Sequence, residues 1–260
     1  MAAKENKAGV VKSADRLMTL LEHLSASPGS SFASIAHDLN LPVSSTHQLL
    51  STAAMRGFVE FSDESRTYSL GPRLYELTRT SSENGSIVSV AKPIMDQLTA
   101  TTEETVQLSV LDGMENVYLA ITESPHPMKL VSSVGARLPA HATGLGKTLL
   151  ATLDEDDLVR RVSGLELESF TDNTITDTDE LLAEIELIRI RGYGEDREEY
   201  LVGLRCIAMP IKTPHKQDTC ALSVSVPTPR FTAKLERKIH TQLRMAVSQI
   251  EAKLVQVGQE

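Results

Sequence analysis

The hydrophobic pattern of the first 70 residues changes its period once, at Gly57, and this change limits the folds open to that part of the chain. Before Gly57, apolar residues recur at the i, i+3, i+4, i+7 spacing of amphipathic helices. After it, residues 58–61 and 66–70 follow the two-residue period of strands around the polar turn 62–65. This part of the chain is therefore predicted to form helices followed by a β-hairpin.

Two helices and a tight turn are predicted before the third helix. Ser13 is the predicted N-cap of the first, and residues 17–24 place four leucines on its buried face. Residues 32–39 repeat the helical period over a shorter length. A tight turn follows at 40–42, because the residue before a proline is pushed out of the helical region. Helix, helix, turn, helix and hairpin is the order of a winged helix-turn-helix.

The third helix is predicted from about Val43 to Arg56, with Gly57 as the left-handed residue after its end. Its first half is rich in hydroxyl and amide side chains, which contact base edges and phosphates, and helix N-termini attract phosphate. An N-capping cluster on an ordinary helical hairpin would show the same residues. Lys12, Arg56 and Arg66 are either phosphate contacts or solvated charges. The predicted buried stripe is Val43, Leu49, Leu50 and Ala53 or Ala54. The predicted DNA-binding set is Ser44, Ser45, Thr46, His47, Gln48, Ser51, Arg56 and Arg66.

The rest of the chain mixes strand-like and helical runs without a visible repeat, which predicts an α/β domain with an antiparallel sheet. The polar stretch Thr80–Ser86 is the predicted junction, which divides the chain into residues 1–80 and 81–260. A linker helix is predicted from Pro72 to about Ser82. Strands are predicted at 105–111, 116–121, 128–133, 206–212 and 221–227, and helices at 87–101, 146–153, 154–162, 177–191 and 232–255.

The charge of the chain does not exclude a DNA partner, although the net charge is −9 at pH 7. Residues 1–80 contain eight basic and eight acidic residues, and residues 81–260 contain 18 and 27. The excess of acid therefore belongs to the larger domain. No apolar run approaches the ~18 residues of a membrane span, no secretory signal is visible, and the sequence has only two cysteines. We therefore expect a reduced, cytoplasmic protein with no membrane partner.

Catalysis and metal binding are not predicted. Gly144–Thr148 resembles the end of a P-loop, but that motif needs a glycine where His141 stands and a strand before it, whereas Leu138–His141 is loop-like. Cys206 lies in an apolar run, where a buried thiol is usually inert packing. We expect no catalytic residue and no metal, because the histidines have no metal-ligand spacing: they include His126, His141, His215 and His240.

Ordered segments across most of the chain resemble the IclR family of bacterial transcription regulators. In the first 80 residues these are Asn40–Leu50, Arg56–Val59 and Tyr68–Gly71. In the remainder they are Leu138–Lys147, Arg191–Tyr193, Glu198–Ala208 and Ala221–Ser225. The resemblance implies an α+β fold, in which a winged helix-turn-helix is joined by a linker helix to a GAF-like effector-binding domain. It also implies homodimers that often pair further into tetramers.

The resemblance also implies which residues hold the effector. Asp196, Cys206 and the backbone of the Gly144 loop would face it, with the hydroxyls of Ser223 and Ser225, which share one face of a strand. An ionised Asp196 only accepts hydrogen bonds, so it favours an effector with an O–H or N–H, such as a hydroxy acid, amide or hydrazide. Lys147 is expected to point away, which leaves the pocket without a cation. The implied effector-binding set is Leu130, Leu138, Gly144, Leu145, Asp196, Leu204, Cys206, Ser223 and Ser225.

One position departs from the family pattern. Family members usually carry an arginine where this chain has Gln48. Arginine matches the two acceptors of guanine, whereas glutamine matches the donor and acceptor of adenine. If residue 48 contacts a base, the operator should differ there; if it contacts a phosphate, the exchange removes one charge and weakens the salt dependence.

The hypothesis from the sequence is a homodimeric regulator, more often a repressor, that pairs into a dimer of dimers. It would bind a pseudo-palindromic double-stranded operator and respond to a small organic acid, or to an amide or hydrazide analogue. The alternative is a GAF-like sensor or enzyme whose N-terminal domain binds protein rather than DNA.

Overall fold

The chain divides into two compact units, Met1–Glu83 and Asn84–Glu260. The structure is a computed structural model that describes residues 11–74, 77, 87–213 and 219–257. The predicted junction Thr80–Ser86, His215 and residues 78–82 of the predicted linker helix lie outside the described residues. Within the described ranges, no helix is both long and apolar enough to span a membrane.

The first unit, called the head (residues 11–74), contains three helices and a small antiparallel sheet between Lys12 and Leu70. The strand order is β1-β3-β2. This confirms the predicted order of a winged helix-turn-helix, although the two residues of β1 were not predicted. The elements are α1 (Lys12–Ala26), β1 (Ser30–Ser31), α2 (Phe32–Asp38), α3 (Val43–Met55), β2 (Val59–Ser62) and β3 (Thr67–Leu70).

The head's core lies where the helical stripes meet the hairpin. Helix α3 ends as predicted: Gly57 has φ +75°, and the N–H of Phe58 donates to the carbonyl of Ala53 at 2.9 Å. A left-handed residue at this point favours glycine, because it has no Cβ. The buried core residues are Leu20, Leu24, Ile35, Leu50, Ala53 and Val59.

Three predicted details of the head are wrong. Ser13 does not cap α1, because the helix begins at Lys12 and no side chain caps it. Val43 is 68% exposed, since the first turn of α3 projects beyond the core. Thr46 is only 1% exposed, and its hydroxyl donates to the carbonyl of Pro42 at 3.2 Å. Positions 46, 50 and 53 of α3 therefore form the buried stripe.

The second unit, called the C-terminal unit (residues 87–257), is built on a six-stranded antiparallel sheet. Its strand order is β6-β5-β4-β9-β8-β7, which confirms the predicted mixed fold with an antiparallel sheet. Two 3₁₀ turns cover Ala140–Ala142 and Thr228–Arg230. The elements are α4 (Ile87–Thr102), β4 (Thr105–Asp112), β5 (Glu115–Thr122), β6 (Arg137–Pro139), α5 (Gly144–Leu150), α6 (Glu155–Val162), α7 (Thr178–Arg191), β7 (Gly194–Arg197), β8 (Leu204–Ile211), β9 (Cys220–Pro227) and α8 (Ala233–Val257).

Alternation along the strands sorts their side chains between the two faces of this sheet. Leu222 and Val224 of β9 pack with α4 and α8 in the main core. Ala221 lies on the opposite face, in a smaller cluster with Leu145 and Leu149 of α5. Polar residues at alternate positions of the same strands therefore also lie on the α5 face.

Two predictions about local structure in this unit are wrong. Residues 128–133 form no strand; Met128 and Val131 are 64% and 75% exposed, so this apolar run has no buried face to pair. Leu138 is not in a loop, because it pairs with Asn116 as part of β6. The short edge strands β6 and β7 were not predicted, since neither contains an apolar run.

Candidate functional sites

A groove of about 1170 Å³ opens in the head between α2, the start of α3 and the hairpin. Ser44 and His47 of α3 line it from one side, and Arg66 of the hairpin lines it from the other. Three residues of the predicted DNA-binding set thus meet in one groove, with aromatic neighbours. The remaining lining residues are Ser31, Phe32, Ala33, Val43, Phe61 and Tyr68.

The exposed side of α3 carries most of the other predicted contacts. Ser44, Gln48 and Ser51 are exposed and follow one another at i, i+4, i+7, so they form one stripe along the helix. Ser45 is half-buried. Thr46 is a correction to the predicted set, because its buried hydroxyl bonds within the helix and cannot reach a ligand.

The basic residues of the head lie around this surface. Arg66 sits at the tip of the hairpin with φ +58°, and its guanidinium lies 5.5 Å from the centre of the Phe61 ring. Arg56 follows the end of α3, and Lys12 begins α1; all three are exposed. Within the described residues, no carboxylate pairs with Arg56 or Arg66, so their charges remain available to an anion.

The predicted effector residues of the C-terminal unit come from three neighbouring strands. The register pairs Asp196 of β7 with Cys206 of β8, and Cys206 with Ser225 of β9. Cys206 Sγ lies 3.0 Å from Ser225 Oγ. Ser223 lies two residues along the same face of β9. None of the four is more than 8% exposed, so the structure brings them together in a buried polar row.

Helix α5 covers one end of this row because two glycines allow a close approach. A Cβ built on Gly144 would lie 3.2 Å from the Asp196 nitrogen and 3.5 Å from the Cys206 Cβ. A Cβ on Gly146 would overlap the backbone of Ala140. Thr143 caps the helix, since its hydroxyl oxygen accepts from the N–H of Gly146 at 3.1 Å.

The predicted apolar walls are only partly brought together. Leu145 is buried, and Leu138 packs against it in the cluster on the α5 face. Leu204 is buried and shares a face of β8 with Cys206. Leu130 is half-buried in the irregular segment between β5 and β6, outside the hydrophobic clusters of the described residues.

Lys147 does not point away from this site, which corrects the expectation that no cation faces it. Its side chain is 1% exposed, and its Nζ pairs with Glu199. Glu199 also accepts from the Arg197 N–H at 3.1 Å, and its own N–H donates to Asp196 Oδ1 at 2.7 Å. A buried ion pair therefore joins α5 to the segment that follows β7, beside Asp196.

This environment changes the protonation of the two most reactive groups. The pKa of Asp196 is raised to about 7, chiefly by burial and also by the charge of Glu199, although backbone N–H donors and the charge of Lys147 lower it in part. Asp196 can therefore donate or accept near neutral pH, and it is not confined to accepting. Burial also raises the pKa of the Cys206 thiol, which stays protonated and is a poor nucleophile.

Sequence reasoning missed two further residues of the site. Gln107 of β4 is 0% exposed, and its Oε1 accepts from the hydroxyls of Ser223 and Ser225, each at 3.0 Å. Tyr118 of β5 is buried beside the same site, where burial raises the pKa of its phenol. The alternation of polar Gln107 and Ser109 with apolar neighbours was the signal that could have found this face of β4.

One group of described residues has side chains close enough to hold a metal ion. The ligand atoms of Glu195, Glu236 and His240 all lie within 4.8 Å of one another, on the sheet face opposite α5. Arg197 already pairs with Glu195, and burial lowers the pKa of His240. The paired arginine neutralises one carboxylate, which opposes the binding of a cation.

Comparisons with known proteins agree with both units. Residues 13–63 match the IclR helix-turn-helix domain, and residues 80–252 match the bacterial transcriptional regulator IclR C-terminal domain. The chain is 32% identical over 244 residues to the HTH-type transcriptional regulator KdgR of Escherichia coli (strain K12), which covers 94% of this chain and 93% of KdgR. It is 32% identical over 227 residues to the transcriptional repressor IclR of the same organism, which covers 86% and 83%.

A solved structure supports the same assignment. An IclR homolog from Microbacterium hydrocarbonoxydans, complexed with 4-hydroxybenzoate, is similar with a TM-score of 0.81 and 25% identity over 93% of this chain and 98% of the other. These proteins are regulators and not enzymes, and the match of the head to a helix-turn-helix domain excludes the alternative of a protein-binding head. The chain belongs to the IclR family of DNA-binding bacterial transcription regulators.

Proposed function

We propose that this regulator is a repressor that binds a pseudo-palindromic operator as a homodimer, or as a dimer of dimers, and responds to a small molecule in its C-terminal unit. The observation that carries the proposal is the exposed stripe of Ser44, Gln48 and Ser51, flanked by the free charge of Arg66. The similarity to the transcriptional repressor IclR of Escherichia coli supports repression rather than activation. The role in DNA binding supports a location in the cytoplasm.

The stripe on α3 supplies the contacts that read sequence. Gln48 is exposed at its centre, and its amide can pair with the donor and acceptor edge of adenine. Ser44, His47 and Ser51 surround it, and Ser45 contributes near the start of the helix. Arg56 and Arg66 supply phosphate contacts, which fix orientation and make the affinity depend on salt.

The effector is a small organic acid, or an amide or hydrazide analogue of one. Asp196, Cys206, Ser223 and Ser225 form its polar contacts, and Leu138, Leu145 and Leu204 its apolar walls, with the Gly144 backbone and Leu130 at the margin. The raised pKa of Asp196 supports an acid, because a protonated Asp196 does not repel a carboxylate. A carboxylate, 4-hydroxybenzoate, is bound in the similar solved structure.

Effector binding alters operator affinity only if the DNA-binding and released states hold the effector with different free energies. The two affinities are then linked, so that an effector which weakens operator binding is itself bound more weakly by the protein on DNA. A dimer is required because one head makes too few contacts for specific binding at physiological salt.

A gel shift on the DNA that flanks the protein's own gene tests the proposal. The titration is repeated with a panel of small acids, amides and hydrazides, and with the variants Gln48→Ala and Asp196→Ala. We expect a specific shift that one compound relieves, a weaker shift in Gln48→Ala, and loss of relief in Asp196→Ala. The absence of a specific shift at low salt would contradict operator binding by the wild type.

A further inference from the structure

The effector row contains more hydrogen-bond donors than it can satisfy. Gln107 is 0% exposed, and its Nε2 has no partner among the described residues. Ser109 Oγ of β4 and Asn116 Nδ2 of β5 are also buried and have no partner among the described residues. Three of the five such atoms in the described part of the chain thus lie on strands beside the effector row. Buried polar atoms without partners are rare in folded proteins, and each requires an explanation.

The hydrogens of the row can be counted. Gln107 supplies two, and Ser223, Ser225 and Cys206 supply one each. Three contacts hold the four residues together, at 3.0 Å each: Gln107 with both serines, and Cys206 with Ser225. Each contact uses one hydrogen, so two of the five remain without an acceptor among these four residues.

This surplus does not depend on which way the Gln107 amide faces. With Oε1 toward the serines, both hydroxyls donate to it, and the two N–H hydrogens are free. With the amide turned by half a rotation, Nε2 donates to both serine oxygens, and two hydrogens of the hydroxyl and thiol groups are free. In both orientations two hydrogens find no acceptor among these four residues, and in the second orientation the Gln107 Oε1 is unpaired as well.

We infer that Gln107 is a specificity-determining residue of the effector site, because its amide makes the row of Ser223, Ser225 and Cys206 a donor surface that selects ligands with a pair of acceptor oxygens, as in a carboxylate. This inference rests on the proposed effector function and extends it to a residue on β4. The carboxylate end of the ligand faces Gln107 and the serines, and its remaining polar group faces Asp196.

The variant Gln107→Glu tests the number of free hydrogens, because glutamate has nearly the same size and shape as glutamine but supplies fewer hydrogens. An ionised glutamate leaves no free hydrogen in the row, and a protonated one leaves one, whereas Gln107→Met leaves the two hydroxyl hydrogens of the serines free. Gln97→Glu is the matched control, because it makes the same exchange at an exposed position of α4. The probes are lactate and 4-hydroxybenzoate, with propane-1,2-diol and 4-hydroxybenzyl alcohol as partners that lack the carboxylate.

Titration calorimetry at about pH 6 should show that the wild type binds at least one of the two acids and neither alcohol. Gln107→Glu should bind that acid roughly tenfold or more weakly, because hydrogen bonds to a charged acceptor are lost. Gln107→Met should bind the acid more weakly than the wild type, because the free amide hydrogens are lost, but more tightly than Gln107→Glu, because two serine hydroxyl hydrogens remain free. Gln97→Glu should bind the acid as the wild type does. Equal binding of the acid by Gln107→Glu, in a folded protein, would overturn the role of Gln107.

A wild type that binds operator DNA but neither acid would overturn the donor surface and leave the DNA-binding function intact, so the two failures are distinguishable. A second measurement does not require the glutamate variant to fold. The side-chain amide resonance of Gln107, assigned by its disappearance in Gln107→Met, should move when the bound acid is added. An unmoved resonance at saturation would overturn the inference.

Discussion

The stripe on α3 and the polar row under α5 are built from similar hydroxyl and amide side chains in opposite environments. Gln48 and its neighbours are exposed, so water satisfies them until DNA replaces it. Gln107 and the serines beside it are buried, so their hydrogen bonds must be made inside the protein or by a ligand. The comparison teaches that a residue of the stripe can be changed with little effect on folding, whereas the row is part of the folded core.

The ion pair of Lys147 and Glu199 should show this difference most strongly. Lys147→Met leaves Glu199 buried without its counter-charge, which costs about 3–5 kcal/mol of unfolding free energy. The double variant Lys147→Met, Glu199→Gln removes both charges and should recover much of the loss. Denaturant unfolding of the C-terminal unit measures both.

Lys92→Met is the control for this ion pair, because Lys92 forms an exposed pair with Asp96 on α4. Its loss should change the unfolding free energy by about 0–1 kcal/mol. Equal losses of unfolding free energy in Lys92→Met and Lys147→Met would show that burial does not make the Lys147–Glu199 pair more costly to break than an exposed pair.

The stripe should show the converse behaviour. Gln48→Ala removes from each head the amide that we propose contacts a base edge, which should weaken operator binding by about 1–3 kcal/mol per head and leave the melting temperature unchanged. Ser25→Ala, an exposed change near the end of α1, is the control. Fluorescence anisotropy on labelled operator DNA measures the effect. A large loss of thermal stability in Gln48→Ala would place this residue in the core after all.

Titration of Asp196 sharpens the comparison within the C-terminal unit. Its pKa is raised from 3.8 to about 7 by burial, so the folded protein keeps a proton that the unfolded chain releases near pH 4. The unfolding free energy should therefore fall as the pH rises from 4 through 7, by about 1.4 kcal/mol between pH 6 and 8. Urea unfolding at both pH values should show this fall in the wild type but not in Asp196→Asn. The same slope in both proteins would contradict a raised pKa at this residue.

The smallest expected effect concerns phosphate contact by the hairpin. Arg66→Gln removes one free cation from each head of the proposed dimer, which should lower the slope of log affinity against log salt by about 1.8 and weaken binding alike on all sequences. Arg160→Gln, which changes an exposed arginine of α6, should leave the slope unchanged. An unaltered slope in Arg66→Gln would remove the hairpin tip from the DNA contacts.

The sequence predicted those parts of the fold in which the polarity pattern of the residues matches the burial that the structure gives them. The bounds of α3 and the alternation of Ser223 and Ser225 along β9 followed from helical and two-residue periods. The sequence could not predict that Val43 is exposed and Thr46 buried, because the polarity of the two residues predicts the reverse. The helix buries position 46 whatever residue it carries.

The chemistry of the row was less predictable because it depends on distant partners. Lys147 and Glu199 are 52 residues apart, and nothing local to either indicates that they meet in the interior. The register of β4 with β9 brings Gln107 to the serines across more than a hundred residues. The resemblance to a family identified Asp196 and Cys206, but the burial that sets the protonation of Asp196 came only from the fold.

The most direct test of the account measures operator affinity for the wild type, Gln48→Ala and Asp196→Ala, each with and without the acid that the wild type binds. We predict that the wild type binds its operator and is released by the acid. Gln48→Ala should bind the acid as the wild type does and the operator more weakly, and Asp196→Ala should bind the operator and not respond to the acid. Loss of both activities in one folded variant would contradict the account, because the two sites would then not be separate.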